Sequence, residues 1–312
     1  MVTNPSVRFK HAFVTGATGI VGTPLCEMIA RLGIPVTAYS RNPTVFSGFH
    51  GVRHELGDIL DLVALRNAAK DADVIFHVAA AVHNSVATRE VYERVNVIGT
   101  QNVIQVAREI NAKVIYVSSV NVDEFLRGEL VNDYARSKSQ AEDLIGLAAH
   151  DGLDAVILRS ATVFGAQLGI AGLIVDRILD RSLKILPAPS RKISAVWSHD
   201  LAVALISAAE VGRTGHTYTI AGPTMTTADF VHSIMEALGV SLSFLSLPVW
   251  IAWFPLQLAW RLKVLTRWTP PISVESLTSH SIHDGRDAAT ELSFSYTPLS
   301  EIFTNSKMRH WR

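Results

Sequence analysis

The run Thr15-Gly16-Ala17-Thr18-Gly19-Ile20-Val21-Gly22 constrains this chain more than any other, because it sets three glycines three residues apart between an apolar segment and a helical one. A strand ending on such a turn lets backbone come close to a bound group, since glycine has no side chain in the way. The N–H groups and dipole at the start of the next helix favour negative charge, so a pyrophosphate suits the turn. The spacing is GxxGxxG, a departure from the GxGxxG fingerprint of dinucleotide-binding folds.

The same alternation of short apolar runs and longer helical segments continues along the chain. Strands are predicted at 12–15, 35–39, 52–56, 73–78, 113–117 and 154–158, and helices at 20–32, 60–69, 89–110, 134–150 and 171–180. This βαβ progression predicts an α/β protein with a doubly wound parallel sheet, the Rossmann fold, and a smaller C-terminal α/β substrate-binding region. The nucleotide-binding domain is expected over residues 1–165. Residues 166–312 are read as mainly substrate-binding, with about 193–221 returning to the first domain. After about residue 160 the regularity fades, leaving apolar patches at 217–220 and 228–238.

Beyond the second strand, an acid normally takes the ribose hydroxyls of NAD, whereas an arginine accommodates the 2′-phosphate of NADP. In Tyr39-Ser40-Arg41-Asn42 the acid is missing. Arg41 offers bidentate, charge-assisted hydrogen bonds to a phosphate, so NADP(H) is the preferred cofactor and NAD(H) the second choice.

Tyr134 and Lys138 are four residues apart in DYARSKSQAEDLI, and on a helix they share a face one turn apart. A neighbouring ammonium favours tyrosinate, so the spacing predicts a phenol pKa below its reference of about 10. Such a phenol is suited to general acid or base work. Upstream, the strand around Val114 ends on Ser118 and Ser119, which can hydrogen-bond a substrate oxygen.

Lysine plus arginine number 28 and so do aspartate plus glutamate, so no overall field draws the chain to nucleic acid. The single cysteine, Cys26, cannot form an internal disulfide, and the start MVTNPSVRFK lacks the apolar stretch of a secretory signal, so a cytoplasmic location is expected. The apolar stretch from Phe244 to Trp260 is interrupted by Pro248 and Pro255 and is shorter than the roughly 20 residues that span a bilayer. The tryptophans Trp250, Trp253, Trp260 and Trp268 read as a packed helix, as a lid over a lipophilic pocket, or as an interfacial surface touching membranes without crossing them. His83 reads as a loop residue, and the histidines show no paired metal-ligand spacing, so no metal is expected.

Taken together, these segments resemble the extended short-chain dehydrogenases/reductases, the NAD-dependent epimerase/dehydratase and 3β-hydroxysteroid dehydrogenase group. The glycine turn matches TGxxGxxG, Gly57-Asp58-Ile59 matches the adenine-contacting segment, and His77-Val78-Ala79-Ala80 matches the stretch beside the cofactor. Asn96 to Asn102 matches the NVxGTxN helix, and Val117-Ser118-Ser119 precedes Tyr134-Ala135-Arg136-Ser137-Lys138.

The resemblance implies Tyr134 as proton donor or acceptor, Lys138 holding the nicotinamide ribose, and Ser119 positioning the reacting oxygen. It implies cofactor contacts from Gly16, Thr18, Gly19, Ile20 and Gly22, from Ser40 and Arg41, from Asp58 and Ile59 at adenine, and from Ala79, Ala80, Ser118, Ser160 and Val163. Ser160 stands where the family usually has proline, and Ile193 where sugar-nucleotide members commonly carry arginine, seven residues before Asp200. A homodimer built from helices 89–110 and 134–150 is also implied.

The function expected is therefore an NADP(H)-dependent oxidoreductase interconverting a carbonyl and a hydroxyl on a small lipophilic substrate. The alternatives are an NAD-dependent nucleotide-sugar epimerase or dehydratase and, further off, a non-catalytic NADP(H) sensor.

Overall fold

The computed structural model describes residues 7–42, 50–82, 87–165, 169–248, 251 and 282–303. In chain order the first elements are β1 (Ala12–Thr15), α1 (Gly22–Arg31), β2 (Val36–Ser40), β3 (Val52–Leu56), α2 (Leu62–Ala69), β4 (Val74–His77) and α3 (Arg89–Tyr92). A π-helical stretch (Glu93–Ile98) leads into α4 (Gly99–Ile110), β5 (Lys113–Ser119), α5 (Asn121–Leu126), α6 (Asp133–His150) and β6 (Ala155–Ser160). Then come β7 (Thr162–Phe164), α7 (Gly169–Leu179), β8 (Ile185–Pro187), β9 (Lys192–Trp197), α8 (Ser198–Val211), β10 (Thr217–Ile220), β11 (Thr224–Thr226), α9 (Thr227–Leu238), β12 (Leu245–Leu247), α10 (Arg286–Glu291) and α11 (Leu299–Ile302).

Seven strands form one sheet in the order β3-β2-β1-β4-β5-β6-β10, and every pairing in it is parallel. The strand order reverses between β1 and β4, the switch point where open α/β sheets leave a crevice beyond their strand ends. Helices cover both faces, so the central strands read as unbroken apolar runs: β1 is AFVT and β4 is VIFH, buried throughout. Phe13, Tyr39, Ile75, Val114, Tyr116 and Ile157 from the sheet pack with Val103, Ala107, Ala141 and Ile145 from the helices.

Local signals set the helix ends. Asn132 caps α6 by accepting from Ala135 N at 2.7 Å. Asn111, at φ 54°, ends α4 in the left-handed conformation that asparagine tolerates. The predicted helix at 89–110 is real but not uniform, because its middle is the π-helical stretch.

Contact grouping separates two units. The first comprises residues 1–161, 198–220 and 285–295, and so includes α8, β10 and α10. The second comprises 162–197, 221–284 and 296–312. It holds a three-stranded sheet, β11-β9-β7, and a two-stranded one, β12-β8. Phe164, Phe230 and Phe303 meet in its core beside Ile193, Trp197, Val231 and Ile234. Its α9 begins with a reciprocal capping box between Thr226 and Asp229. No helix among the described residues is long and apolar enough to cross a membrane, and they contain no cluster of metal-ligating side chains. His83 and the tryptophans of the 250–268 stretch lie outside the described residues.

Candidate active site

Parallel strands bring their C-terminal ends to one edge of the sheet, and most of the predicted site residues fall there. Gly16 follows β1, Ser40 ends β2, Asp58 and Ile59 follow β3, Ala79 and Ala80 follow β4, Ser118 and Ser119 end β5, and Ser160 ends β6. Val163 lies on β7, in the second unit.

Two glycines of the turn are required by space. Gly16 has φ +66°, and a Cβ there would sit 2.7 Å from both Cα and N of Ala79. A Cβ on Gly22 would lie 2.6 Å from Ala17 Cα and would also collide with the Gly16 carbonyl. Gly19 N donates to Gly16 O at 3.0 Å, closing the turn, while Thr18 and Ile20 stay partly exposed. Such a bare-backbone cradle ahead of α1 fits a pyrophosphate.

In the segment after β3, Tyr39 donates its hydroxyl to Asp58 O at 3.0 Å and Asp58 Oδ1 accepts from Leu60 N at 3.0 Å. Ile59 is buried against Gly99 and its carbonyl accepts from Asn102 Nδ2 at 2.9 Å. Ser40 is buried and hydrogen-bonded to His54, and Arg41 is exposed just past the end of β2.

A buried hydrogen-bond chain joins the glycine turn to the helix carrying Tyr134. Thr15 Oγ1 accepts from Val78 N and Ala79 N, each at 3.2 Å, and pairs with His77 Nδ1 at 2.8 Å. Thr100 donates to Asn96 O at 2.6 Å, so its oxygen is left to accept from His77 Nε2 at 3.0 Å. This assigns the proton to Nε2, a tautomer inferred from the bonding pattern. Asn96 Oδ1 accepts from Ala81 N at 2.7 Å, and its Nδ2 donates to Ala81 O at 3.1 Å and Ser137 Oγ at 2.9 Å. Ser137 in turn donates to Tyr134 O at 2.7 Å. Asn96 was present in the predicted NVxGTxN match without a role; its position on the π-helical stretch, a feature frequent at functional sites, is what aims it inward.

Burial is the first cause of the charges' behaviour here. It pushes His77 down to about 3, with the Lys138 cation adding to the effect, so the imidazole is neutral. It pushes Lys138 down to about 7, partly offset by the Glu142 carboxylate one turn along α6. Arg159 holds that carboxylate with Nε at 3.0 Å from Oε1 and Nη2 at 2.5 Å from Oε2, and also bonds Asp123.

Tyr134 corrects the expectation drawn from spacing. Its phenol is raised, not lowered: burial dominates, a hydrogen bond with Ser119 opposes it, and Tyr92 adds a small rise. Lys138 directs its ammonium elsewhere, donating to Val117 O at 2.6 Å. Ser119 also accepts from Asn121 N at 3.2 Å. Ser118 Oγ is buried without a hydrogen-bond partner, while its carbonyl accepts from Ser160 Oγ at 3.2 Å. The edge therefore presents a protonated phenol, a serine hydroxyl and a desolvated amine together with the glycine turn.

The chain is 33% identical over 217 residues, 65% of its own length, to the uncharacterized protein y4nG of Sinorhizobium fredii, and 26% identical over 228 residues, again 65%, to a 2-alkyl-3-oxoalkanoate reductase of Shewanella oneidensis. It spans 54% and 58% of the length of these two relatives. The fold matches the crystal structure of the Bordetella bronchiseptica enzyme WbmH in complex with NAD+, with TM-score 0.74 and 19% identity over 97% of this chain and 99% of that one. The model of the NAD dependent epimerase/dehydratase family matches residues 12–221, about two thirds of the sequence. The chain belongs to the NAD dependent epimerase/dehydratase family, within the extended short-chain dehydrogenases/reductases.

Proposed function

We propose that the chain is an NADP(H)-dependent oxidoreductase that interconverts a carbonyl and a hydroxyl on a small, lipophilic substrate. The observation that carries this reading is the meeting of Ser119, Tyr134 and Lys138 on the strand-end edge that also bears the glycine cradle. A nicotinamide dinucleotide, when bound, supplies or accepts hydride. Gly16, Thr18, Gly19, Ile20 and Gly22 hold its pyrophosphate, Asp58 and Ile59 its adenine, and Ala79, Ala80 and Ser118 line its path. Ser160 belongs to the strand segment read as ending beside the nicotinamide, and Lys138 holds the adjoining ribose.

Ser119 orients the substrate oxygen and Tyr134 gives or takes the proton at that oxygen. A phenol kept protonated by burial is poised as a donor, which supports the reductive direction. Holding proton donor and substrate oxygen in one geometry supplies much of the rate. The Shewanella oneidensis relative is named a reductase of oxoalkanoates, which supports carbonyl reduction and an apolar substrate. Ile193, buried in an apolar core, weighs against an arginine-type diphosphate clamp there and so against the nucleotide-sugar alternative.

Arg41 supports NADP(H), and the NAD+ bound to WbmH keeps NAD(H) as its competitor. A groove lined by Ile104, Leu144 and Leu147 between α4 and α6 supports a homodimer; a monomer mass by light scattering would exclude it. The functional test is a carbonyl panel read at the NADPH absorbance band. Net oxidation of added NADPH by an apolar ketone or oxoacid is expected, and tightly retained NAD with no net consumption would overturn the reading.

A further inference from the structure

Lys138 is 2% exposed, yet its ammonium has one hydrogen bond in place of a hydration shell, the 2.6 Å bond to Val117 O. The remaining contact is with the face of Tyr116, whose ring centroid lies 4.2 Å from Nζ. The face of an aromatic ring carries the negative end of its quadrupole, and its pull on a cation grows when both are desolvated. Tyr116, on β5, is 1% exposed, so both partners are shielded from water.

We propose that the Tyr116 ring is the seat of the Lys138 ammonium, which makes Tyr116 a positioning residue for the Tyr134/Lys138 pair. The catalytic consequence rests on the oxidoreductase reading above. His77 completes the seat from β4: its ring lies 5.4 Å from that of Tyr116 with an interplanar angle of 32°. Its hydrogen bonds to Thr15 and Thr100 hold it as a neutral imidazole, so no second cation competes for the same ring. The other ionisable groups around Lys138 are Tyr134 and Glu142 on α6, with Arg159 of β6 and Asp123 of α5 holding Glu142. The Tyr116 hydroxyl lies close enough to Tyr134, Glu142 and Thr100 to feel them, so Tyr116→Phe is the reference from which changes to the ring face are read.

The test is a series at one position. Tyr116→Phe removes only the hydroxyl; the phenylalanine at 116 is then exchanged for its mono-, di- and trifluorinated forms, which keep the shape and weaken the ring face in steps. Lys138 is followed by the 13Cε resonance in protein labelled with [6-13C]lysine, assigned by its loss in Lys138→Met. Tyr116→Phe should titrate close to the parent, and the midpoint should fall stepwise with fluorination, by about one pH unit at the trifluoro form. The alkaline limb of kcat should move with it while KM for the carbonyl changes little. An identical Lys138 midpoint across the fluorinated series removes the seat, whatever Tyr134→Phe shows. A Tyr134→Phe protein that turns over at the parent rate removes the oxidoreductase reading, whatever the titration shows.

Discussion

Asn96 donates to the Ser137 hydroxyl at 2.9 Å, and this single bond ties the π-helical stretch to the helix bearing Tyr134 and Lys138. With the two bonds from the same side chain to Ala81, it holds the loop after β4 and the start of α6 in one frame. Asn96→Ala breaks all three bonds and strands buried partners. Stability should fall by roughly 3 kcal/mol, seen in urea unfolding, and kcat/KM should drop at least about tenfold because the misplacement reaches the proton donor.

Gly16 packs backbone to backbone against Ala79. Gly16→Ala meets both the positive φ and the 2.7 Å approach, and neither neighbour is a side chain able to swing away. The loss should be about 2 kcal/mol or more, with NADPH binding by fluorescence titration weakened in parallel. Unchanged affinity would show that the turn does not approach the cofactor.

Two buried bases give pH behaviour of one sign, in two separate windows, from one cause. His77 has its folded pKa depressed from 6.5 to about 3, so the unfolded chain binds the extra proton between those values. Its contribution is present above about pH 6.5 and lost as pH falls towards 3; His77→Gln should flatten that part of the stability profile. Lys138 is depressed from 10.5 to about 7, so the unfolded chain binds more protons across that window and stability contributed there rises with pH. Lys138→Met should therefore be more heat-stable than the parent at pH 6–7, with the gain shrinking towards pH 10, while turnover is lost. Differential scanning calorimetry at several pH values checks both signs.

Arg41 stands exposed past β2, where no acid is present to bind ribose hydroxyls. Arg41→Ala should raise Kd for NADPH at least about tenfold, the worth of a charge-assisted pair, and leave Kd for NADH within about twofold. Equal losses for both nucleotides in isothermal titration would remove the case for NADP(H).

Much of this was readable before any coordinates. The strand at 12–15 announces itself as an apolar run and the helix containing Tyr134 through its spacing, and the parallel topology then delivers Ser40, Asp58, Ala79 and Ser119 to one edge. The second unit was less legible because its strands β7, β8, β11 and β12 are three residues each, too short for a period to show. The π-helical stretch was invisible because one widened turn inside 89–110 leaves the apolar pattern helical on both sides. The sign of the Tyr134 shift was missed for a different reason. Spacing shows that Lys138 shares its helix face, but not that burial dominates both groups or that the amine is taken by Val117 O and the Tyr116 ring.

The most direct measurement is turnover and nucleotide binding in Tyr134→Phe, which deletes one hydroxyl and keeps the ring that packs edge-on to Tyr92. NADPH affinity should stay within about threefold of the parent while kcat falls by roughly 10²–10⁴, the range for a lost general acid. A variant that reduces its carbonyl substrate at the parent rate would contradict the account.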